Sequence, residues 1–460
     1  MVHMAAVSDF NGVSRSTSRI GIRVWLSDYR SAAHRSQPDM AAAVAAKFNE
    51  RHPEYLVEIK SHDFRNLPAK VLKAAEQGSM PDVAEFEFSV TRAALDALRP
   101  DGAALFTPVE GAIAERAEIL GEHVVLGDMV PAARDYFRYA GELTSVTRSA
   151  STVVLYANMD ILAKAGVLEP PRTWGEVTSA CRAVAKLSGG PSHCITWPNH
   201  YWFFLQSVAQ QGGLITDRDN GRSGRAEKIS LASGEMMAFV AWWKRLHQDG
   251  YYLYTGKPYD FPGCFAAFEN QQVALVLSSS VDAIHMARRG QQGGFAVKAS
   301  RMPFNEEVRL AGNTVGGHSL WLAAGLSQAK QDGALAFMQY LISPRNAAEW
   351  AKHQNRIPIT RSAADILDRE GWFLRNPDFR VASDQLEEAD GSPAALGPVL
   401  GGYAGMVDEI HDAMHDVLVR GDEPTARFTM ASARAQQILD AYNSYCVGPP
   451  RRTPPNLVVR

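Results

Sequence analysis

Residues 316–363, reading GGHSLWLAAGLSQAKQDGALAFMQYLISPRNAAEWAKHQNRIPITRSA, constrain the fold of this chain more than any other stretch. Two glycines open it, and glycine lets a backbone lie close against a ligand. The apolar run 320–324 reads as a buried strand. Ser327 stands where a helix cap belongs. Ala334, Phe337, Met338, Leu341 and Ile342 then recur at helical spacing and make one apolar face. Ser343-Pro344 ends that helix and opens another, because proline is tolerated only in a helix's first turn. The second helix carries Ala347, Trp350 and Ala351 and stops before Arg356-Ile357-Pro358.

The first hundred residues alternate between two periods. Ile20, Ile22, Val24 and Leu26 alternate as a strand, as do Tyr55, Val57 and Ile59, and a third short strand ends near Glu87. Between them, Met40, Val44 and Phe48, then Leu67, Val71, Leu72 and Ala75, follow helical spacing. Such alternation implies βαβ units and a mostly parallel sheet, so the fold class is α/β. Ligands of such sheets sit outside the carboxyl ends of the strands. That rim holds Trp25, Ser27, Asp28, Asp63, Phe64, Glu87 and Phe88. Glu85 and Glu87 share a strand face, whereas glycosidase carboxylates flank the substrate from different elements. The two are therefore read as ligand-facing or sheet-end acids, not as an acid/base pair.

At 460 residues the chain exceeds one ordinary core, and two lobes are the natural division. Its 46% hydrophobic and 21% charged residues are those of a soluble globular protein, and a net charge of −3 leaves no basic excess for nucleic acid. The start, MVHMAAVSDF, has no charged segment followed by an apolar one, so no signal peptide is read there. Of the four cysteines, Cys181 reads as a small core residue, while Cys194 and Cys264 fall in the same lobe, where an exported protein could join them.

Further along, 137–158 reads as a turn followed by an extended crossing segment, with Ser149, Ser151 and Thr152 supplying hydroxyls. Thr173 and Glu176 form a capping box. In 197–204, WPNHYWFF, aromatic faces suit the apolar faces of sugar rings, while amides such as Asn199 suit hydroxyls. Residues 393–403 read as a loop, followed by helices at 406–419 and 425–442 and a Pro-rich tail. His411 and His415 have chelating spacing, but the segment HDAMH lacks the zincin glutamate, and a solvated helix face is the better reading. Neither a phosphate-binding G-x-x-x-x-G-K-[ST] loop nor a G-x-S-x-G elbow occurs.

GG-x-SLW at 316–321, SP-x-NAAEW at 343–350 and P-I-T at 358–360 resemble the family 1 extracellular solute-binding proteins of ABC importers, in their Ugp-type branch. The resemblance implies a two-lobed fold of the maltose-binding-protein type with a ligand cleft between the lobes. One lobe would comprise 19–138 and 300–343, the other 139–299 and 344–445, with loose tails at 1–18 and 446–460. Carried over, the cleft would include Asp63 or Phe64, Glu87, Phe88, Ser151, Trp202, Ser280 and Gly317, with Ser27, Asp28, Asn199, Arg356 and Tyr403 beside them. Arg356 replaces a ligand tyrosine of that branch, Asn199 replaces a tryptophan, and Val399 stands where a phosphate-binding arginine belongs. Losing that arginine argues against glycerol phosphate, since phosphate recognition relies on charge-assisted arginine contacts. Asp28, Asp63, Glu85 and Glu87 at the rim favour a neutral or cationic sugar, and an amino sugar is the refined expectation.

The expected protein is a monomeric, extracytoplasmic, lipid-anchored binding protein whose export signal lies outside this chain. It would hand a carbohydrate to a membrane permease without covalent chemistry, cofactor, metal or nucleic acid. The alternatives are a glycoside hydrolase or transferase on the same lobes, a glycerophosphodiester-binding protein, and a scaffold without a small ligand.

Overall fold

The computed structural model describes residues 19–28, 37–448 and 452–454; the loose tail expected at 1–18 lies outside them. The strands that matter here are β1 (Ile20–Asp28), β2 (Tyr55–Asp63), β3 (Val83–Glu87), β4 (Phe106–Thr107), β5 (Val146–Ser151), β6 (Val153–Asn158), β7 (Ile195–Thr196), β8 (Tyr252–Leu253), β9 (Leu275–Ser279), β10 (Val297–Arg301) and β11 (Gly316–Ala323). They form two sheets, one per lobe. The first has the order β2-β1-β3-β11-β4 with β5 also paired to β11, and the second has the order β8-β7-β9-β6-β10.

The expectation of a mostly parallel sheet holds only for the βαβ part. β1 is parallel to β2 and β3, but β11 is antiparallel to β3 and β5. The reason is connectivity: β11 enters from the other lobe at the carboxyl ends of β1–β3, so it must run against them. In the second sheet β6 is antiparallel to both β9 and β10.

The helices used below are α1 (Gln37–Arg51), α2 (Leu67–Glu76), α3 (Trp174–Val184), α4 (Tyr201–Gln210), α5 (Gln328–Leu341), α6 (Pro344–Gln354), α7 (Tyr403–Val419) and α8 (Pro424–Val447). Phe337, Met338 and Leu341 on α5 are fully buried, and Phe337 meets Phe48 of α1 edge-on at 5.3 Å. Ser327 precedes α5, but its side chain makes no cap hydrogen bond. Thr173 does cap α3: Oγ1 accepts from the Glu176 amide at 3.2 Å, and Glu176 accepts in return from the Arg172 amide at 2.6 Å. α8 runs past Tyr442 to Val447, and Thr453 exchanges hydrogen bonds with the backbone of Leu98. This part of the tail is therefore packed, contrary to the loose end expected from 446 onward.

The chain changes sheet at Thr152, between β5 and β6. Its amide donates to Ser280 Oγ at 3.2 Å, and the Ser280 amide donates back to its carbonyl at 2.8 Å. A second crossing links β10 to β11, where Gln206 holds both the amide and the carbonyl of Thr314. A third lies at 355–357: Asn355 donates to the Val281 carbonyl at 2.8 Å and the Ile357 amide to the Ala150 carbonyl at 3.1 Å.

The disulfide joins Cys181 to Cys194, with Cα atoms 5.1 Å apart, and not Cys194 to Cys264. Cys181 on α3 faces the segment entering β7. Cys264 stays a buried thiol that accepts from Thr196 Oγ1 at 3.4 Å. No helix of the described residues is long and apolar enough to cross a membrane.

Candidate functional site

Between the two sheets lies a cleft of about 640 Å³. Its first wall is made of strand ends: Glu87 closes β3, Ser151 closes β5, and Gly316, Gly317 and His318 open β11. Register places Glu87 opposite His318 and Gly316 opposite Ser151. Phe64, Arg65 and Phe88 follow the ends of β2 and β3 and extend this wall. The two glycines are required by close packing. Gly317 has φ +135°, and a Cβ there would fall 2.0 Å from the Ser149 carbonyl oxygen; at Gly316 it would fall 2.7 Å from the Trp202 ring.

The second wall is aromatic. His200, Tyr201 and Trp202 come from the start of α4, and Tyr259, Phe261 and Phe265 come from the segment beyond β8. Ser279 closes β9, Val281 and Asp282 follow it, and Glu269, His285 and Arg289 stand beside them. Glu269 binds His285 at 3.0 Å and Arg289 at 3.3 Å. Arg356 reaches the cleft from the third crossing.

Burial dominates the electrostatics. Desolvation pushes the Glu87 carboxyl up to about 7, against the opposing hydrogen bonds from the Ser89 amide and hydroxyl. Asp282 is likewise raised to about 6 by burial, opposed by its 2.7 Å bond from Ser278 and by the charges of His285 and Arg356. His318 is lowered to about 4, chiefly by burial, so it is a neutral imidazole at ordinary pH. Its Nε2 and the Trp202 Nε1 are buried without a hydrogen-bond partner among the described residues, and both side chains belong to the cleft wall. Buried polar atoms of this kind ordinarily find partners, so they mark where a ligand or water is received.

Of the residues singled out from sequence, Phe64, Glu87, Phe88, Ser151, Trp202, Gly317 and Arg356 line the cleft. Others are displaced from it. Ser27 is buried in the sheet, where its amide donates to Glu85 at 2.7 Å. Asp28 is buried at the end of β1, and Asp63 is exposed and turns back to cap the Arg65 amide at 3.0 Å. Neither lines the cleft. Asn199 holds the His411 carbonyl at 2.9 Å, and Ser280 serves the crossing at Thr152, leaving the cleft position to Ser279. Tyr403 packs edge-on against Phe88 and Tyr201, one layer behind the wall. Glu85, two residues from Glu87, is fully buried and bound to Arg148 Nε at 2.5 Å. Three of the four carboxylates counted toward a cationic ligand are therefore turned away.

Sequence reasoning missed Arg65, the aromatic wall beyond Trp202, Asp282 and His318. The run YDFPGCF at 259–265, rich in rings and broken by Pro262 and Gly263, was the available signal for part of it. No group of three or more metal-ligating side chains occurs among the described residues.

A profile of the bacterial extracellular solute-binding proteins matches residues 43–380. The sn-glycerol-3-phosphate-binding periplasmic protein UgpB of Salmonella typhimurium is 25% identical over 410 residues, covering 86% of this chain and 88% of that one. Among solved structures, the cyclic α-maltosyl-1,6-maltose binding protein of Arthrobacter globiformis superposes with a TM-score of 0.74 at 17% identity, over 92% of this chain and 100% of that one. UgpB of Mycobacterium tuberculosis, in complex with glycerophosphocholine, does so with a TM-score of 0.67 at 20% identity, over 92% and 98%. With its two-sheet architecture and interlobe cleft, and with more than half its length matched, this chain belongs to the bacterial extracellular solute-binding protein family.

Proposed function

We propose that this chain is the substrate-binding component of an ABC importer and that it holds a carbohydrate bearing an amine. The observation that carries this reading is Glu87. It is a half-buried carboxylate at the cleft wall, held by Ser89, within electrostatic reach of Tyr136 and Tyr403 and flanked by the Phe88 ring. Rings suit the apolar face of a sugar or an ammonium group, and a carboxylate suits the ammonium charge. Trp202 supplies a further ring surface in the second wall. The ligand is held between lobes joined by three crossings, so closure is a hinge motion selected by contacts made only in the closed form. Release to a membrane permease follows, outside the cytoplasm and from a lipid-anchored monomer. The chain performs no covalent chemistry on its ligand.

A second reading is favoured by Arg356. It acts electrostatically on both Asp282 and His318 and so gives the cleft a cation for the phosphate of a glycerophosphodiester. Calorimetry with glucose, glucosamine, N-acetylglucosamine and glycerophosphocholine separates the two readings. Glucosamine binding at least about tenfold tighter than N-acetylglucosamine is expected from a charged hydrogen bond. The reverse order would sink the amine, and tightest binding of glycerophosphocholine would favour the second reading.

A further inference from the structure

The pair His411 and His415, read from sequence as a solvated helix face, is turned inward on α7. His411 is 2% exposed, and its Nε2 accepts the Tyr201 amide at 2.8 Å. His415 Nδ1 bonds the Tyr254 hydroxyl at 2.7 Å. Tyr201 is the first residue of α4, and the opening amides of a helix have no partner within it. The local cap, His200, reaches only the Trp202 amide, at 3.3 Å. The Tyr201 amide is satisfied from a helix 210 residues further along the chain.

We propose that His411 is a positioning residue for ligand recognition, fixing the segment 199–202 at the angle from which its rings meet the ligand. Three contacts converge on it. The Asn199 amide group donates to the His411 carbonyl at 2.9 Å, so the residue grips the segment by side chain and backbone together. The Tyr259 ring stands edge-on to the imidazole at 4.3 Å. Asn199 in turn accepts the Tyr259 amide at 3.2 Å, which ties the two aromatic parts of the second wall to one anchor. An imidazole that accepts at Nε2 is neutral and carries its proton on Nδ1. His411 does not line the cleft; it acts through His200, Tyr201, Trp202 and Tyr259, all of which do.

The inference rests on the cleft being the binding site, and its test has one arm that needs no ligand. In His411→Leu the Tyr201 amide loses its acceptor, and its hydrogen exchange should quicken by about tenfold or more. Gln places an oxygen near the position of Nε2 and should restore slow exchange, whereas Asn is too short to reach and should not. Affinity for D-glucosamine should follow the same order, falling about tenfold in the Leu and Asn variants and returning to within about threefold in Gln. Wild-type exchange at Tyr201 in both Leu and Asn variants, or a Gln variant no better than Asn, would overturn the proposal. Should His411→Leu not fold, the Gln and Asn variants decide by themselves. If wild-type protein binds no glucosamine, the ligand assignment fails while the exchange data still judge the anchor.

Discussion

The two walls of the cleft are built by different means. The first is sheet: β3 and β5 end where β11 begins, and their register puts Glu87 opposite His318 and Ser151 opposite Gly316. Backbone hydrogen bonds set these positions, so small polar groups can be placed there with little side-chain support. The second wall is loop and helix start, carrying rings with large surfaces and no ladder beneath them. It is held from elsewhere, above all by His411, whose imidazole takes the Tyr201 amide and whose carbonyl takes the Asn199 side chain. A polar wall that rests on register and an aromatic wall that rests on tertiary props should fail in different ways.

The largest contrast lies within the first wall. Glu85→Gln leaves Arg148 without its buried carboxylate, and removal of one partner of such a pair costs about 3–5 kcal/mol. Urea unfolding should register that loss, whereas Glu87→Gln should keep or raise the midpoint. Equal losses from the two variants would erase the distinction between them. Next, Trp202→Ala removes a ring from the second wall and should weaken sugar binding about 30-fold, as a buried aromatic anchor does. A calorimetric loss below about threefold would mean that the ring is only core.

Glu87→Gln tests the polar wall with a smaller change. It should cost glucosamine about tenfold and glucose little, since only the amine loses a charged hydrogen bond. Equal losses for both sugars would assign Glu87 to a hydroxyl.

The pH dependence of the same group gives the finest test. An ammonium ligand needs Glu87 ionised and its own amine protonated; the carboxyl titrates near 7 and a sugar amine gives up its proton only slightly above that, so glucosamine affinity should peak near neutral pH and fall about fivefold by pH 6, a decline on the acid side that the Gln variant should lack. For folding the sign is opposite. Because burial raises the carboxyl above its unfolded value of 4.5, the folded state binds the proton more tightly, and stability declines as pH rises through the interval up to about 7. Melting temperatures of wild type and Glu87→Gln should therefore converge below that interval and separate above it, the variant being higher.

Sequence was enough where a property depends on spacing along the chain. The alternation at 20–87 placed β1, β2 and β3, and the apolar face of 334–342 placed α5, because the strand and helix periods are written locally. Gly316-Gly317 was legible as a close approach, though to Ser149 and Trp202 and not to a ligand; Glu87 and Ser151 lie on the cleft because strands end there, Arg356 because the chain crosses there, and Trp202 because α4 starts there. Tertiary structure alone decided which side chain stands opposite which. Cys181 took Cys194 because α3 lies beside the entry to β7, a proximity that no spacing rule contains. Glu85 and Glu87 look alike in the sequence, yet one meets Arg148 from β5 and the other meets the open cleft. His411 turned from a surface residue into an anchor because α7 packs under α4. Periodicity tells a residue which way to face, and only the assembled chain supplies what it faces.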